Sequence, residues 1–210
     1  MFKNRIEAGL LLGARLKKYA NKDGVVLAVP RGGVPVAYVV AKELGLPIDI
    51  VLTKKIGHPE NKEYAIGAAS LNDHFVVQGI YVSDEYIEEE LSGIRKRLRE
   101  MQRRFMGTNE PESIEGKTVI VIDDGIATGN TMLATVKLLR KSRPRKIVVA
   151  VPVASRTAIR KLSGEVDEII TVECPEHFPG VGSFYEDFSQ VSDIDVTFYL
   201  NRLREMRQAG

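Results

Sequence analysis

The chain has 210 residues, 44% of them hydrophobic, enough to bury one sizeable core, so a single domain over 1–210 is expected. Its 30 lysines and arginines nearly balance 28 aspartates and glutamates, and a net charge of +2 supplies no broad basic field for nucleic acid or a membrane surface. Cys174, the one cysteine, excludes an internal disulfide framework and a cysteine-rich zinc site, and suits a reducing compartment such as the cytoplasm.

Met1 to Ala20 sets Lys3, Arg5, Glu7, Arg15, Lys17 and Lys18 among apolar residues. That pattern predicts an amphipathic helix carrying Ile6, Leu10, Leu12, Leu16 and Tyr19, not a signal peptide. Val25 to Val29 is a short apolar run that predicts a strand, stopped by Pro30-Arg31-Gly32-Gly33, and Val34 to Leu44 resumes helical character. Ile48 to Leu52 repeats the strand signature. Thr53 to Tyr64 is polar and contains Gly57, Pro59 and Asn61, so a mobile loop is expected there, with Lys54 and Lys55 at its start and His58 and Glu63 as candidate acid-base groups. Tyr64 to Gln78 alternates weakly, consistent with two short strands about an Asn72-Asp73 turn.

From Ser83, apolar residues at Ile87, Leu91, Ile94, Leu98, Met101 and Phe105 fall on one face of a long helix. Its acids come first and its arginines last, as the helix dipole favours. That apolar stripe must pack on the chain's own core or on a second subunit. After a linker from Gly107 to Gly116, strands are predicted at Thr118 to Ile122, Lys146 to Val153 and Glu168 to Val172. Helices are predicted between them, at Met132 to Leu139 and Ser155 to Leu162, with a closing helix from Ile194 to Met206. Such alternation predicts an α/β fold with a mainly parallel central sheet flanked by helices, receiving ligands at the carboxyl ends of its strands. No stretch approaches the roughly 18 uninterrupted apolar residues of a membrane span.

The most informative segment is Asp123-Asp124-Gly125-Ile126-Ala127-Thr128-Gly129-Asn130-Thr131, delivered by a wholly apolar strand end into a helix start. Backbone N–H groups from Ala127 to Thr131 can form an anion nest, reinforced by the positive end of the following helix. Thr128 and Thr131 add hydroxyl donors, and Gly125 and Gly129 permit the turn. A carboxylate beside a phosphate repels it unless a neutral donor or a metal intervenes, and vicinal hydroxyls are such donors. A ribose 5-phosphate fits, with its phosphate in the nest and its hydroxyls on Asp123 or Asp124, where hydrated Mg2+ can also approach. The triphosphatase motif G-x-x-x-x-G-K-[ST] and the dinucleotide fingerprint G-x-G-x-x-G are both missing from the sequence. Glu173 to Asp187, with Phe178, Phe184 and Tyr185, has the composition of a lid that stacks on a flat ring. Cys174 is expected to be a small buried filler.

Val119 to Met132 resembles the signature loop of type I phosphoribosyltransferases, which bind 5-phosphoribosyl 1-diphosphate. Pro30 to Gly33 and Lys54 to Glu63 resemble a functionally unassigned bacterial and archaeal branch of that family, so the likeness runs over most of the chain. It implies a type I phosphoribosyltransferase-like fold with a helical arm at about 83–106 and a C-terminal hood at about 173–190. It further implies that Asp123 and Asp124 hold the ribose hydroxyls and Ala127 to Thr131 the 5-phosphate, with Gly125 and Ile126 in the same loop. Arg31, Gly32 and Gly33 would hold the diphosphate, joined by Lys54 or Lys55 from a closing loop, and Mg2+ would share the leaving group's charge. The 6-oxopurine members carry a third aspartate where this chain has Ala127. Phe178 and Tyr185 are the candidates to sandwich the small-molecule acceptor, and a homodimer is expected. The rival reading is a ribose-diphosphate sensor that binds RNA or DNA through arginines between Arg95 and Arg104.

Overall fold

The structure is a computed structural model that describes residues 1–62, 64–77, 79, 81–107 and 110–208. Helix α1 (Arg5–Leu16) is opened by Asn4, whose side chain accepts from the N–H groups of Ile6 and Glu7, and it tightens into a 3-10 turn over Lys17–Tyr19. There follow β1 (Gly24–Ala28), α2 (Gly33–Leu44), ended by Gly45 in the left-handed region, and β2 (Ile48–Ile50). Next come β3 (Lys54–Gly57), β4 (Ala65–Ala69), β5 (His74–Val76) and the long α3 (Asp84–Met106). The second half runs through β6 (Thr118–Ile122), α4 (Asn130–Lys141), β7 (Lys146–Val153), α5 (Arg156–Leu162), β8 (Glu168–Glu173) and α6 (Asp193–Gln208).

The larger sheet has the order β2-β1-β6-β7-β8, and every neighbouring pair is parallel. Strands β1 and β6 are buried along their whole length, which is why they read as unbroken apolar runs. Alternation still decides which side each residue serves. Ile120 and Ile122 join Leu12, Val40, Leu44 and Leu200 on the α1, α2 and α6 side, whereas Val119 and Val121 meet Val136, Val149 and Leu162 on the α4 and α5 side. The expected α/β architecture, a mostly parallel sheet with helices on both faces, is therefore present.

The stretch expected as a loop from Thr53 instead begins with β3, which pairs antiparallel with β4 so that Lys54 faces Ala69 and Lys55 faces Ala68. Its strand character was hidden because it is the edge of a small β3-β4-β5 sheet and carries two exposed lysines, a composition that protects an edge from further pairing. Beyond it the chain makes a closed turn, with the His58 N–H donating to the Tyr64 carbonyl at 2.8 Å. The arm helix covers this small sheet, packing Leu91, Ile94 and Leu98 on Ile56, Ile66 and Ala69. The apolar stripe of α3 is thus buried within its own chain. Cys174 is exposed, not the buried filler expected, because it stands where the chain leaves the edge strand β8. Among the described residues, no helix is long and apolar enough to cross a membrane.

Candidate active site

Adjacent parallel strands deliver the two glycine turns side by side. In the β1–β6 register Ala28 lies opposite Ile122, and the Val29 N–H donates to the Ile122 carbonyl at 2.8 Å. The turn after β1 therefore rests directly on the acid pair after β6. A Cβ on Gly33 would stand 2.6 Å from the Ile122 carbonyl oxygen and 2.8 Å from the Asp123 Cα. A Cβ on Gly32 would stand 2.2 Å from Oδ2 of Asp124. Both glycines are needed for close approach. The Gly33 N–H already donates to the Val29 carbonyl at 3.0 Å, so it is not available to an anion as expected.

The acids are enclosed. The Asp124 N–H donates to Oδ1 of Asp123 at 2.9 Å. Burial, and then the charge of Asp124, push Asp123 well above the usual carboxylate range. Burial also raises Asp124, against the pull of Arg5. From the first residue of α1, Arg5 sets its Nε and Nη2 at 2.9 and 2.8 Å from Oδ2 of Asp124. The Tyr185 hydroxyl donates to the Asp124 carbonyl at 2.6 Å, so the side chain and main chain of this residue are held from opposite ends of the sequence.

The loop after β6 is tied to the next strand. Ile126 bridges Ala154, with the Ile126 N–H donating to the Val153 carbonyl at 3.0 Å and the Ser155 N–H to the Ile126 carbonyl at 2.9 Å. Ser155 Oγ donates to the Ala127 carbonyl at 2.5 Å and accepts from the Ala158 N–H, so one hydroxyl fixes the loop and caps α5. Gly129 adopts φ 77° at the mouth of α4, a conformation that favours glycine, and the first amides of α4 open towards the loop. Val181 closes over Gly125, where a Cβ would meet its Cγ1 at 2.5 Å. Ala127, Thr128 and Asn130 line an open cleft of about 750 Å3 whose other walls include Arg156, Arg160 and Phe178.

The other expected residues divide. Arg31 stands at the site, with its Nη1 3.5 Å from Oδ1 of Asp193. Lys54 and Lys55 are exposed on β3. The Glu60 N–H donates to Nδ1 of His58 at 3.3 Å, and Glu63 lies outside the described residues. Phe178 is half-buried, packs 5.3 Å from Phe184 and reaches the cleft. Tyr185 is 5% exposed and its ring lies 5.2 Å from Phe2. It serves as a buried support for Asp124, not as an open stacking platform. Toward the basic end of α3, Arg104 pairs with Asp193. Arg5, Asp193 and Ser155 were not anticipated as site residues; only Ser155, a serine opening a helix, carried a local signal.

Residues 5–188 match the phosphoribosyl transferase domain family. A Mycobacterium tuberculosis protein named provisionally as a phosphoribosyl transferase is 36% identical over 220 aligned positions that span all of this chain and 49% of its own length. The chain thus spans about half the length of these curated relatives. The amidophosphoribosyltransferase of Rhizobium etli is 29% identical over 143 positions, covering 67% of this chain and 23% of that enzyme. The crystal structure of a Thermus thermophilus protein, TT1426, superposes with a TM-score of 0.87 at 37% identity, covering 96% of this chain and 98% of that one. With the acid pair, the glycine turn and the loop at the carboxyl ends of β1 and β6, the chain belongs to the phosphoribosyl transferase family.

Proposed function

We propose that the protein transfers the 5-phosphoribosyl group of 5-phosphoribosyl 1-diphosphate to a nucleobase or related small acceptor, releasing diphosphate. The observation that supports this reading is the direct seating of Gly32 and Gly33 on Asp124 and Asp123, which brings the glycine turn against the acid pair. The 5-phosphate would lie on the amides from Ala127 to Thr131 at the start of α4. The ribose hydroxyls would donate to Asp123 and Asp124, whose ionised forms accept them. Arg31 and the Gly32 N–H would stabilise the diphosphate as its bond to C1 breaks and the acceptor's bond to C1 forms. Enclosure beneath the hood would keep water from C1.

The acid pair offers hard oxygen donors that suit Mg2+, and no cluster of three or more acidic, histidine or cysteine side chains able to hold a metal occurs among the described residues. Asp123 or Asp124 would hold Mg2+, which would supply charge neutralisation of the leaving group. Ala127 offers no proton acceptor, so a proton leaving the acceptor must pass elsewhere. Phe178, in the cleft beside the loop, is the aromatic placed to stack on a flat acceptor.

Calorimetric titration with 5-phosphoribosyl 1-diphosphate and Mg2+ tests the reading. Wild type should bind and Asp124→Asn should lose most of the affinity. A folded wild type that does not bind removes the proposal.

A further inference from the structure

Arg5 belongs to none of the three motifs, yet its guanidinium is the most completely engaged cation at the site. Its side chain is 11% exposed, and that of Asp124 13%. Nε and Nη2 converge on the single oxygen Oδ2 of Asp124, Nη1 donates to the Ser189 carbonyl at 2.8 Å, and the guanidinium carbon stands 4.0 Å over the Phe188 ring. The segment that carries Arg5 is itself joined to the hood. The Phe2 N–H donates to the Phe184 carbonyl at 2.8 Å, the Glu186 N–H to the Phe2 carbonyl at 2.8 Å, and the Asp187 N–H to the Lys3 carbonyl at 2.9 Å.

We propose that Arg5 is a positioning residue, fixing the Asp124 carboxylate for the donor's ribose hydroxyls and tying that carboxylate to the N-terminal segment and the hood. The proposal rests on the transferase reading. Two N–H groups on one carboxylate oxygen restrict rotation about the last side-chain bond and leave Oδ1 as the oxygen through which Asp124 meets the ligand. The groups set against Asp124 are Arg5 from α1, Asp123 from its own loop, Gly32 from the turn after β1 and Tyr185 from the hood, and of these Arg5 alone is positive. Without it, that carboxylate would lose its fixed orientation.

The test compares wild type, Arg5→Met and Arg5→Lys by calorimetry, with thermal melting alongside. Two probes are used: 5-phosphoribosyl 1-diphosphate with Mg2+, and inorganic diphosphate without it, which offers Asp124 neither hydroxyls nor a metal. Arg5→Met should weaken the sugar donor on the order of ten-fold and leave inorganic diphosphate within about two-fold. Arg5→Lys, which keeps the charge without the fork, should fall between, and it carries the test if the methionine variant does not fold. Equal weakening of both probes would show general loosening and overturn the proposal, as would unchanged affinity for the donor. A wild type that binds neither probe defeats the transferase reading and this inference together, whereas a wild type that binds alongside an indifferent Arg5→Met defeats this inference alone.

Discussion

Arg31, in the turn after β1, is held by Asp193 at the start of α6, 3.5 Å away, and the same carboxylate also pairs with Arg104. If the diphosphate lies on Arg31 as proposed, Asp193 would oppose it both by holding Arg31 and by direct repulsion. Both side chains are partly exposed, which limits the effect. Asp193→Asn should therefore tighten diphosphate-bearing ligands by roughly two- to five-fold at low salt, a gain that shrinks as ionic strength rises. Arg31→Ala should weaken them by on the order of ten-fold or more. Titration with inorganic diphosphate and Mg2+ at two salt concentrations checks both, and a weaker Asp193→Asn would mean that the carboxylate orients Arg31 instead of competing for it.

The two glycines of that turn should fail differently. A methyl on Gly33 would press on backbone, the Ile122 carbonyl and the Asp123 Cα, which cannot withdraw without disturbing β6. Gly33→Ala should cost about 1–3 kcal/mol of stability as an overpacked site, together with donor binding. A methyl on Gly32 meets the end of a side chain, the Asp124 carboxylate, which Arg5 holds in place. Gly32→Ala should remain closer to wild type in melting temperature while losing donor affinity. Melting curves and titrations on both variants decide the matter, and a Gly32→Ala variant with intact affinity would show that the carboxylate position is not critical.

Much of this site was legible because its parts are local. The glycine turn and the acid-glycine loop each follow an unbroken apolar run, and burial on both faces is what makes such a run visible in a sequence. What joins them is not local. Arg5 meets Asp124 across 119 positions, and nothing in the composition around Arg5 sets it apart from Lys3 or Arg15. Tyr185 shows the same limit, since an aromatic in a glycine-rich segment suits stacking on a ligand and packing on Phe2 equally well. Strand β3 was hidden for another reason: an exposed edge strand carries the lysines of a surface loop, and only its partner β4 reveals it.

Away from the site, Glu168 on β8 makes a network whose pH dependence can be measured. Burial alone would raise its pKa, but hydrogen bonds from Lys146, Lys18 and Tyr19 outweigh burial and hold it at about 2, below its ordinary 4.5. Hydrogen bonds to Glu168 and then Tyr19 in turn hold Lys146 at about 12, above 10.5. A depressed carboxylate contributes stability above its unfolded value, and that stability is lost as pH falls from about 4.5 through about 2. A raised lysine contributes stability below 10.5 that is lost as pH rises through about 12. Glu168→Gln should lower the melting temperature at neutral pH and flatten its decline at both extremes. A variant whose melting temperature tracks wild type at every pH would show that the network contributes nothing measurable.

Asp123 should behave in the opposite sense. Its pKa in the folded protein lies well above the ordinary 3.8 because burial and then the Asp124 charge disfavour the ionised form. The folded state therefore binds that proton more tightly than the unfolded one, and above pH 3.8 ionisation subtracts from stability as pH rises, until the folded-state group has also ionised. Asparagine removes the charge while keeping a side-chain oxygen that can accept the Asp124 N–H, as Oδ1 of Asp123 does at 2.9 Å. Asp123→Asn should thus melt a few degrees higher than wild type at neutral pH, at roughly 2–4 °C per kcal/mol for a chain of this size. The difference should vanish in acid, where wild type is protonated too. The same variant should lose donor affinity, because a neutral amide accepts a ribose hydroxyl less strongly than a carboxylate does. Melting temperature and donor titration from pH 4 to pH 8 measure both halves. A variant less stable than wild type at neutral pH would show that the ionised acid is favourably held, and that the enclosure of the pair is not a stability sacrificed for function.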